Sequence, residues 1–284
     1  GVNKLWVDFV INFLGSWSAS TYIIKHPDEA QEKFLKCENY LKKIIDFGIL
    51  SNDLISFTHA KKEVLGNTKK HEELKKVSLD YLKMIKESIG VKNIDYASAC
   101  MDLGIVYENL KEGELSVKYR LMGIDVLLKL DQSDSIKKRL ATAYGNLSHI
   151  YRNHLNDSKN AIICAQKSLE FKESFEKNKS YGISLYNLGM AYAMNNEFQK
   201  SADFIKQALQ YFKESSNKEI YQKSVLQLNL GIILNEFDKK TAITLLKKSI
   251  ERIESKDINI YSSDDPNKRM EIAKNILKLN DENL

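Results

Sequence analysis

Residues 186–209 have the sequence YNLGMAYAMNNEFQKSADFIKQAL, in which a Leu-Gly step is followed by small and large apolar residues at helical spacing. A Leu-Gly or Leu-Ser step recurs along the chain, with its small residue at Gly104, Ser148, Gly189 and Gly231. The intervals between these residues are 44, 41 and 42. A fixed period of this size is typical of stacked structural repeats. The sequence therefore predicts a repeat protein, whose extended surface suits binding better than catalysis.

Each repeat is predicted to be a pair of antiparallel helices, so the fold class is all-α. Leu185, Leu188 and Tyr192 recur on one helix face, and Gly189 leaves room for the second helix of the pair to approach closely. Only two prolines occur in the 284 residues, so few helix breakers interrupt these segments. The predicted pairs are 94–110 with 114–131, 136–154 with 158–176, 180–195 with 198–215, and 219–235 with 239–255.

The tract 186–209, with Gly189, Tyr192 and Ala208, resembles the helix-turn-helix pattern of the tetratricopeptide repeat family position by position. The resemblance extends over residues 94–255, although the period is about 42 rather than 34 and no proline closes a repeat. The longer repeats are similar to those of kinesin light chains, LGN-type scaffolds and the Rap, PlcR and NprR peptide-sensing regulators. The resemblance implies a right-handed superhelical solenoid of stacked antiparallel helix pairs, with a concave groove that binds a peptide or protein segment.

The chain is predicted to have three segments. Residues 1–93 read as degenerate N-terminal helical repeats or a cap, residues 94–255 as the four helix pairs, and residues 256–284 as a C-terminal linker with a capping helix at 267–279. Because the chain begins with Gly rather than Met, we expect a further segment upstream. An aromatic stripe near the start packs into the core or, alternatively, forms a homodimer contact or a docking face. Its residues are Trp6, Phe9, Phe13 and Trp17.

Composition argues against several functions. The net charge is +5, but basic and acidic residues alternate, so a nucleic-acid surface is not expected. Lysines between 61 and 76 are interrupted by glutamates and read as solvated helix faces. Three dispersed cysteines favour a reducing, cytoplasmic location. No run of about 18 apolar residues predicts a membrane span, and no catalytic, cofactor or metal motif occurs, so we expect a non-enzyme without a cofactor.

The candidate binding residues lie around the Leu-Gly steps. The position before each step holds Asp102, Asn146, Asn187 or Asn229. The resemblance implies that this position faces the groove, where an Asn amide can donate to and accept from a peptide backbone. Alternatively, each Asn holds a neighbouring helix. The same face is predicted to include Tyr186, His149, Arg152, Asn153 and Asn109. Arg152 could bind a carboxylate, or it could pair with a carboxylate of its own chain.

Three functions remain open from the sequence. The first is a scaffold that binds a peptide or protein segment in its groove. The second is the peptide-sensing module of a bacterial transcription or signalling regulator, and the third is the regulatory arm of a larger enzyme. The groove residues serve all three functions, so they do not distinguish between them.

Overall fold

The computed structural model describes residues 70–175, 177–255 and 266–281, together with seven isolated positions between 55 and 66. The chain divides into two compact units, Gly1–Gln132 and Ser133–Leu284. This division falls within the predicted array of four helix pairs, after the first pair. Described elements of the first unit are α1 (His71–Ile89), α2 (Ile94–Asn109) and α3 (Gly113–Lys129). Those of the second unit are α4 (Asp134–Asn153), α5 (Ser158–Glu173), α6 (Lys179–Met194), α7 (Phe198–Leu209), α8 (Asn217–Leu234), α9 (Lys239–Glu254) and α10 (Pro266–Asp281).

The predicted all-α class is confirmed, because every described element is an α-helix. The pairs α2–α3, α4–α5, α6–α7 and α8–α9 match the predicted helix pairs closely. The clearest difference is α7, which ends at Leu209 rather than near residue 215. After Leu209 the backbone hydrogen bonds join residues three apart rather than four, for example from the Phe212 amide to the Leu209 carbonyl oxygen at 3.3 Å. Ser216 then caps α8, which begins at Asn217.

Six of the described helices begin at capping side chains that are visible in the sequence. Asn93 caps α2 by accepting from the amide of Tyr96, and Asp157 caps α5 by accepting from the amide of Asn160. Each cap satisfies an amide that has no partner within the helix. The same role is filled at α4, α6, α8 and α9 by Ser133, Asn178, Ser216 and Asp238.

Three repeats turn from their first helix to their second in the same way. A non-glycine residue adopts a positive φ after the first helix, with values of 63° at Lys111, 53° at Asn156 and 60° at Asn196. The following amide then donates back to a tyrosine carbonyl of the first helix, which closes the helix end. These bonds run from Glu112 to Tyr107 at 2.9 Å, from Asp157 to Tyr151 at 2.8 Å and from Glu197 to Tyr192 at 3.0 Å.

The pairs are antiparallel and approach most closely at small residues. A Cβ atom added to Gly189 would lie 2.8 Å from Ile205 Cγ1 and 3.0 Å from the Ser201 carbonyl oxygen. Two turns earlier in α6, a Cβ on Gly182 would lie 3.1 Å from the Ala208 carbonyl oxygen. A later residue of α6 therefore contacts an earlier residue of α7, as expected for antiparallel helices. An added side chain at Gly189 would press on both a side chain and the backbone of α7, which favours glycine at this step.

Aromatic stacking within the pairs also repeats. In three pairs, a tyrosine of the first helix stacks on an aromatic ring of the second, with nearly parallel planes. The stacked rings are Tyr107 on Tyr119 at 5.2 Å and 8°, Tyr144 on Phe171 at 5.8 Å and 11°, and Tyr192 on Phe204 at 5.5 Å and 4°. This stacking fixes the first helix against the second and leaves the remaining faces of the first helix for other contacts.

Candidate functional site

The predicted groove face of the second unit consists of the residues of α4, α6 and α8 at and around Asn146, Asn187 and Asn229. These three side chains occupy the same repeat position but have different surroundings. Asn146 is exposed and Asn187 is half-buried, whereas Asn229 is only 3% exposed. The sequence position is therefore equivalent in the three repeats, but accessibility falls from α4 to α8.

Asn229 is held by its own chain. Its Nδ2 donates to the hydroxyl of Tyr186 at 2.7 Å, and Nη1 of Arg269 donates to the same oxygen at 2.9 Å. Tyr186 is itself buried, at 9% exposure. The prediction that Asn229 and Tyr186 face a ligand is corrected here, because their polar atoms bind each other and Arg269. The alternative interpretation, in which the Asn holds a neighbouring helix, describes Asn229.

Arg269 belongs to α10, which covers the face of the last repeat. Ala273 of α10 is fully buried in the same cluster as Leu228 and Leu246, so α10 packs against both α8 and α9. At the other end of α10, Asn280 Nδ2 donates to Asn235 Oδ1 at 3.4 Å. Further apolar side chains in this contact are Val225 and Ile232 of α8 and Met270, Ile276 and Leu277 of α10. Part of the predicted groove face is therefore already a helix-binding surface.

The part of the predicted groove face on α4 is more open. Asn146 and Asn153 are exposed, while His149 and Arg152 are half-buried. The spacing of three and four residues brings Asn146, His149 and Asn153 onto one side of α4. Asn153 Nδ2 lies 2.7 Å from His149 Nε2, and donation by the amide makes the ring nitrogen the acceptor. These side chains offer amide donors, amide acceptors and a guanidinium to a polypeptide segment.

The predicted site residues Asp102 and Asn109 belong to the first unit. Asn109 is exposed, and Asp102 forms an ion pair with Lys62. Lys62 is only 6% exposed, so this lysine does not belong to a solvated helix face as the sequence suggested. Lys75 pairs with Glu72 at 2.8 Å, as expected for alternating charges. The described lysines of this region are thus partly neutralised by carboxylates.

A buried arginine was not predicted from the sequence. Arg120 of α3 is 2% exposed, and its Nη2 donates to Glu108 Oε2 at 2.6 Å. Burial lowers the pKa of Arg120, and the adjacent Glu108 carboxylate opposes this effect. The sequence did contain a signal for this burial. Arg120 lies 16 residues after Gly104, just as the buried Ile205 lies 16 residues after Gly189, so Arg120 occupies a core position of its repeat. A charged residue at a core position of the repeat should have indicated an internal ion pair.

Two of the described cysteines are poorly suited to act as nucleophiles. Cys100 and Cys164 are buried free thiols, and burial raises the pKa of each to about 11, so neither is an activated nucleophile at neutral pH. Within the described ranges, no three His, Cys, Asp or Glu side chains come together as a metal site would require. No helix in those ranges combines the length and apolar character needed to cross a membrane.

Comparison with known proteins agrees with this geometry. The sequence model described as Tetratricopeptide repeat matches residues 139–214, which cover the second and third helix pairs. These helix pairs are tetratricopeptide repeats. This match confirms the resemblance seen in the sequence for the two helix pairs that contain the steps at Ser148 and Gly189.

One relative and several solved structures are similar to most of the chain. The anaphase-promoting complex subunit CDC16 of Saccharomyces cerevisiae is 25% identical over 188 residues, 64% of this chain and 21% of that subunit. The chain thus spans about a fifth of that relative. BtubC (BKLC) of P. vanneervenii superposes with a TM-score of 0.64 at 14% identity, covering 86% of this chain and 97% of that one. The apo form of RapI gives 0.58 at 12% identity, covering 98% and 97%. At these identities the structural similarity shows a shared fold.

Proposed function

We propose that this chain is a non-enzymatic scaffold that holds a peptide or protein segment on the predicted groove face of its second unit. The observation that carries the proposal is the docking of α10 on α8. There the face accepts a helix through Leu228 and Ala273 and anchors it by the Arg269–Tyr186 hydrogen bond. A surface that binds one helical segment of its own chain has the chemistry to bind a segment of a partner at the equivalent residues of α4 and α6.

The amides of Asn146 and Asn187 are the proposed backbone contacts. They occupy the same position in consecutive repeats, and Asn146 is exposed while Asn187 is half-buried. An amide side chain matches a peptide group, since each has one carbonyl acceptor and an N–H donor. His149, Arg152 and Asn153 lie next to Asn146 along α4 and would add side-chain selectivity. The apolar area would come from Ile183, a 44% exposed residue one turn before Asn187.

Site-specific crosslinking tests where a partner binds. A photoreactive phenylalanine analogue is placed at residue 146, at residue 183 and, as the control, at residue 163 of α5. Ile163 is 49% exposed but lies on the second helix of its pair. We expect crosslinks from positions 146 and 183 to the same partner, and none from position 163. Equal crosslinking at all three positions would reject the face.

Affinity measurements then test the amides. With the crosslinked partner purified, N146A/N187A is expected to bind at least about tenfold more weakly, because each net hydrogen bond contributes roughly 1 kcal/mol. N217A is the matched control, since Asn217 is an exposed asparagine at the start of α8. Unchanged affinity of the double variant, with unchanged circular dichroism, would contradict the proposal.

A peptide-sensing module is the second proposed function, and the contact between α6 and α10 favours it. Because Arg269 of α10 donates to Tyr186 of α6, a ligand on α6 could change how α10 docks. Hydrogen exchange of α10 with and without the bound partner separates the two functions. A scaffold leaves α10 protection unchanged, whereas a sensor changes it. The regulatory arm of a larger enzyme would use the same face and is the third proposal.

Two further predictions from the sequence belong to this proposal. A cytoplasmic location is supported by the free thiols of Cys100 and Cys164, since reducing conditions keep cysteines unlinked. The aromatic stripe proposed as a homodimer contact lies outside the described residues and stays a prediction. Sedimentation of the full chain at two concentrations tests the dimer, and W6A/F9A is the variant expected to abolish it.

A further inference from the structure

A small cavity lies between the second and third helix pairs, where α5 ends and α6 begins. Its volume is about 240 Å³, which suits a single side chain or a small ion. Lys138 and Thr142 of α4 form one wall, and Lys172 of α5 with Ser180 of α6 forms another. Phe175 contributes the apolar part of the lining. Among the described lining residues are two lysines and no acidic residue, which favours an anion over a cation as an occupant.

Lys172 is the central group of this cavity. The side chain is half-buried, and its Nζ donates to the Ser180 carbonyl oxygen at 2.7 Å, which uses one of its three N–H donors. Burial lowers the pKa of Lys172, because it disfavours the charged ammonium. The ammonium is therefore fixed in position by a neutral acceptor, and an anion would stabilise its charge.

Lys138 approaches the same space from α4. Its Nζ lies 5.0 Å from the centre of the Phe175 ring, which holds the lysine against the apolar lining. The Thr142 hydroxyl donates to the Lys138 carbonyl oxygen at 3.0 Å. The lining residue Thr142 is one helical turn from Asn146 along α4. Two ammonium groups lining one small cavity repel each other unless an anion lies between them.

We infer that this cavity binds an anionic group, a carboxylate or a phosphate, between Lys138 and Lys172. This inference deepens the proposed function, because the natural source of the anion would be an acidic or phosphorylated side chain of a segment that also contacts Asn146. Two ammonium groups provide charge-assisted hydrogen bonds to separate oxygens of one anion. The bound partner would therefore carry a negative side chain at this point.

Small anions test the cavity without any partner, so failure of the anion site and failure of the scaffold proposal are distinguishable. The full chain is labelled with ¹³C at lysine Cε and titrated with inorganic phosphate or acetate, while sodium chloride keeps the ionic strength constant. The Lys172 resonance is assigned by its loss in K172Q. We expect a saturable shift of that resonance at millimolar anion, and a shift of Lys138 with the same midpoint.

Variants and probes decide the outcome. K138Q is expected to weaken binding at Lys172 at least about threefold, whereas K248Q, which alters an exposed lysine of α9, leaves it unchanged. Saturation by phosphate alone assigns the cavity to a phosphorylated side chain, and saturation by both anions assigns it to carboxylates as well. A linear response equal to that of chloride, or an unchanged midpoint in K138Q with intact circular dichroism, would overturn the inference.

Discussion

Arg120 and Glu108 join the two helices of the first described repeat by an ion pair of 2.6 Å. The arginine reaches the carboxylate past Gly104, where an added Cβ would lie 2.6 Å from Arg120 Cγ. Ser116 also belongs to this contact, since its hydroxyl donates to the Gly104 carbonyl oxygen at 2.7 Å. The Leu-Gly step of this repeat thus makes room for a charged side chain, whereas at Gly189 it makes room for Ile205.

Removal of the Glu108 charge should destabilise the first unit. Loss of one partner from a fully buried pair costs roughly 3–5 kcal/mol. Since Glu108 is 22% exposed, we expect E108Q to lose about 2–3 kcal/mol, measured from urea denaturation. The control D125N removes an exposed partner of Lys129 and should cost less than about 0.5 kcal/mol.

A double variant separates the charge from the packing. R120M/E108Q removes the buried guanidinium together with its partner, so it should be more stable than E108Q alone. If E108Q were as stable as D125N, or if the double variant were less stable than E108Q, the ion pair would not determine the stability of this repeat.

Gly189 and Gly145 form a matched pair for testing the close approach of helices. In G189A the new methyl group meets the Ser201 backbone carbonyl at 3.0 Å, and we expect a net loss of about 1–2 kcal/mol from overpacking. At Gly145 the nearest atom is the Ser168 hydroxyl at 3.3 Å, and its next neighbour is 4.0 Å away. G145A should stay within about 1 kcal/mol of wild type, because the gain in helix propensity offsets the contact. Equal thermal shifts in the two variants would contradict this explanation.

The helix pairs could be predicted from the sequence because their determinants are local and periodic. Leu188, Gly189 and Tyr192 lie within about one helical turn of each other, and the pattern recurs with Ser148 at the glycine position of the second repeat and Leu234 at the tyrosine position of the fourth. Caps such as Asn93 and Asp157 act on amides three residues away. The start of the following helix can therefore be read from a few adjacent residues.

The surroundings of the binding residues could not be predicted in the same way. Asn146 and Asn229 have the same local sequence signal, but only Asn229 is buried, since α10 packs over α8. Its hydrogen-bonding partner Tyr186 is 43 residues away, and Arg269 is 83 residues from Tyr186. No periodicity links α10 to the earlier repeats, so the sequence indicated a terminal helix but not the surface that it covers.

Asp157 should give one repeat a pH-dependent stability. Its Oδ1 accepts from the Asn160 amide at 3.0 Å and its Oδ2 accepts from Asn160 Nδ2 at 2.6 Å. The bond from the Asn160 amide is the larger cause that lowers the pKa of Asp157. Because the pKa of Asp157 is lower in the folded state, its carboxylate stabilises the fold at pH values above the unfolded-state pKa of about 3.9. This stabilisation is lost as the pH falls through the folded-state pKa.

The cap is tested by comparing D157A with D157N. D157A should lose about 1 kcal/mol at pH 7, whereas D157N retains a capping oxygen and should lose less. The stability advantage of the wild type over D157N should shrink as the pH is lowered below about 4, as measured by thermal denaturation. D131N, in the exposed linker after α3, serves as the control. An advantage that grows on acidification would contradict the role of the carboxylate.

Tyr186 should be the residue that ties α10 to the repeats. Y186F removes the oxygen that accepts from Asn229 and Arg269, and it leaves the donors of buried Asn229 without that acceptor, at a cost of about 1–3 kcal/mol. R269A removes only the donor on α10, so it should cost less while increasing hydrogen exchange in α10. K274A breaks the pair between Lys274 and Glu254, both about half exposed, and should cost under about 1 kcal/mol.

Because Tyr186 and Arg269 contact each other, Y186F/R269A should lose less stability than the sum of the single variants. Additive losses, or α10 exchange that R269A leaves unchanged, would mean that apolar contacts such as that of Ala273 hold α10 without this hydrogen bond.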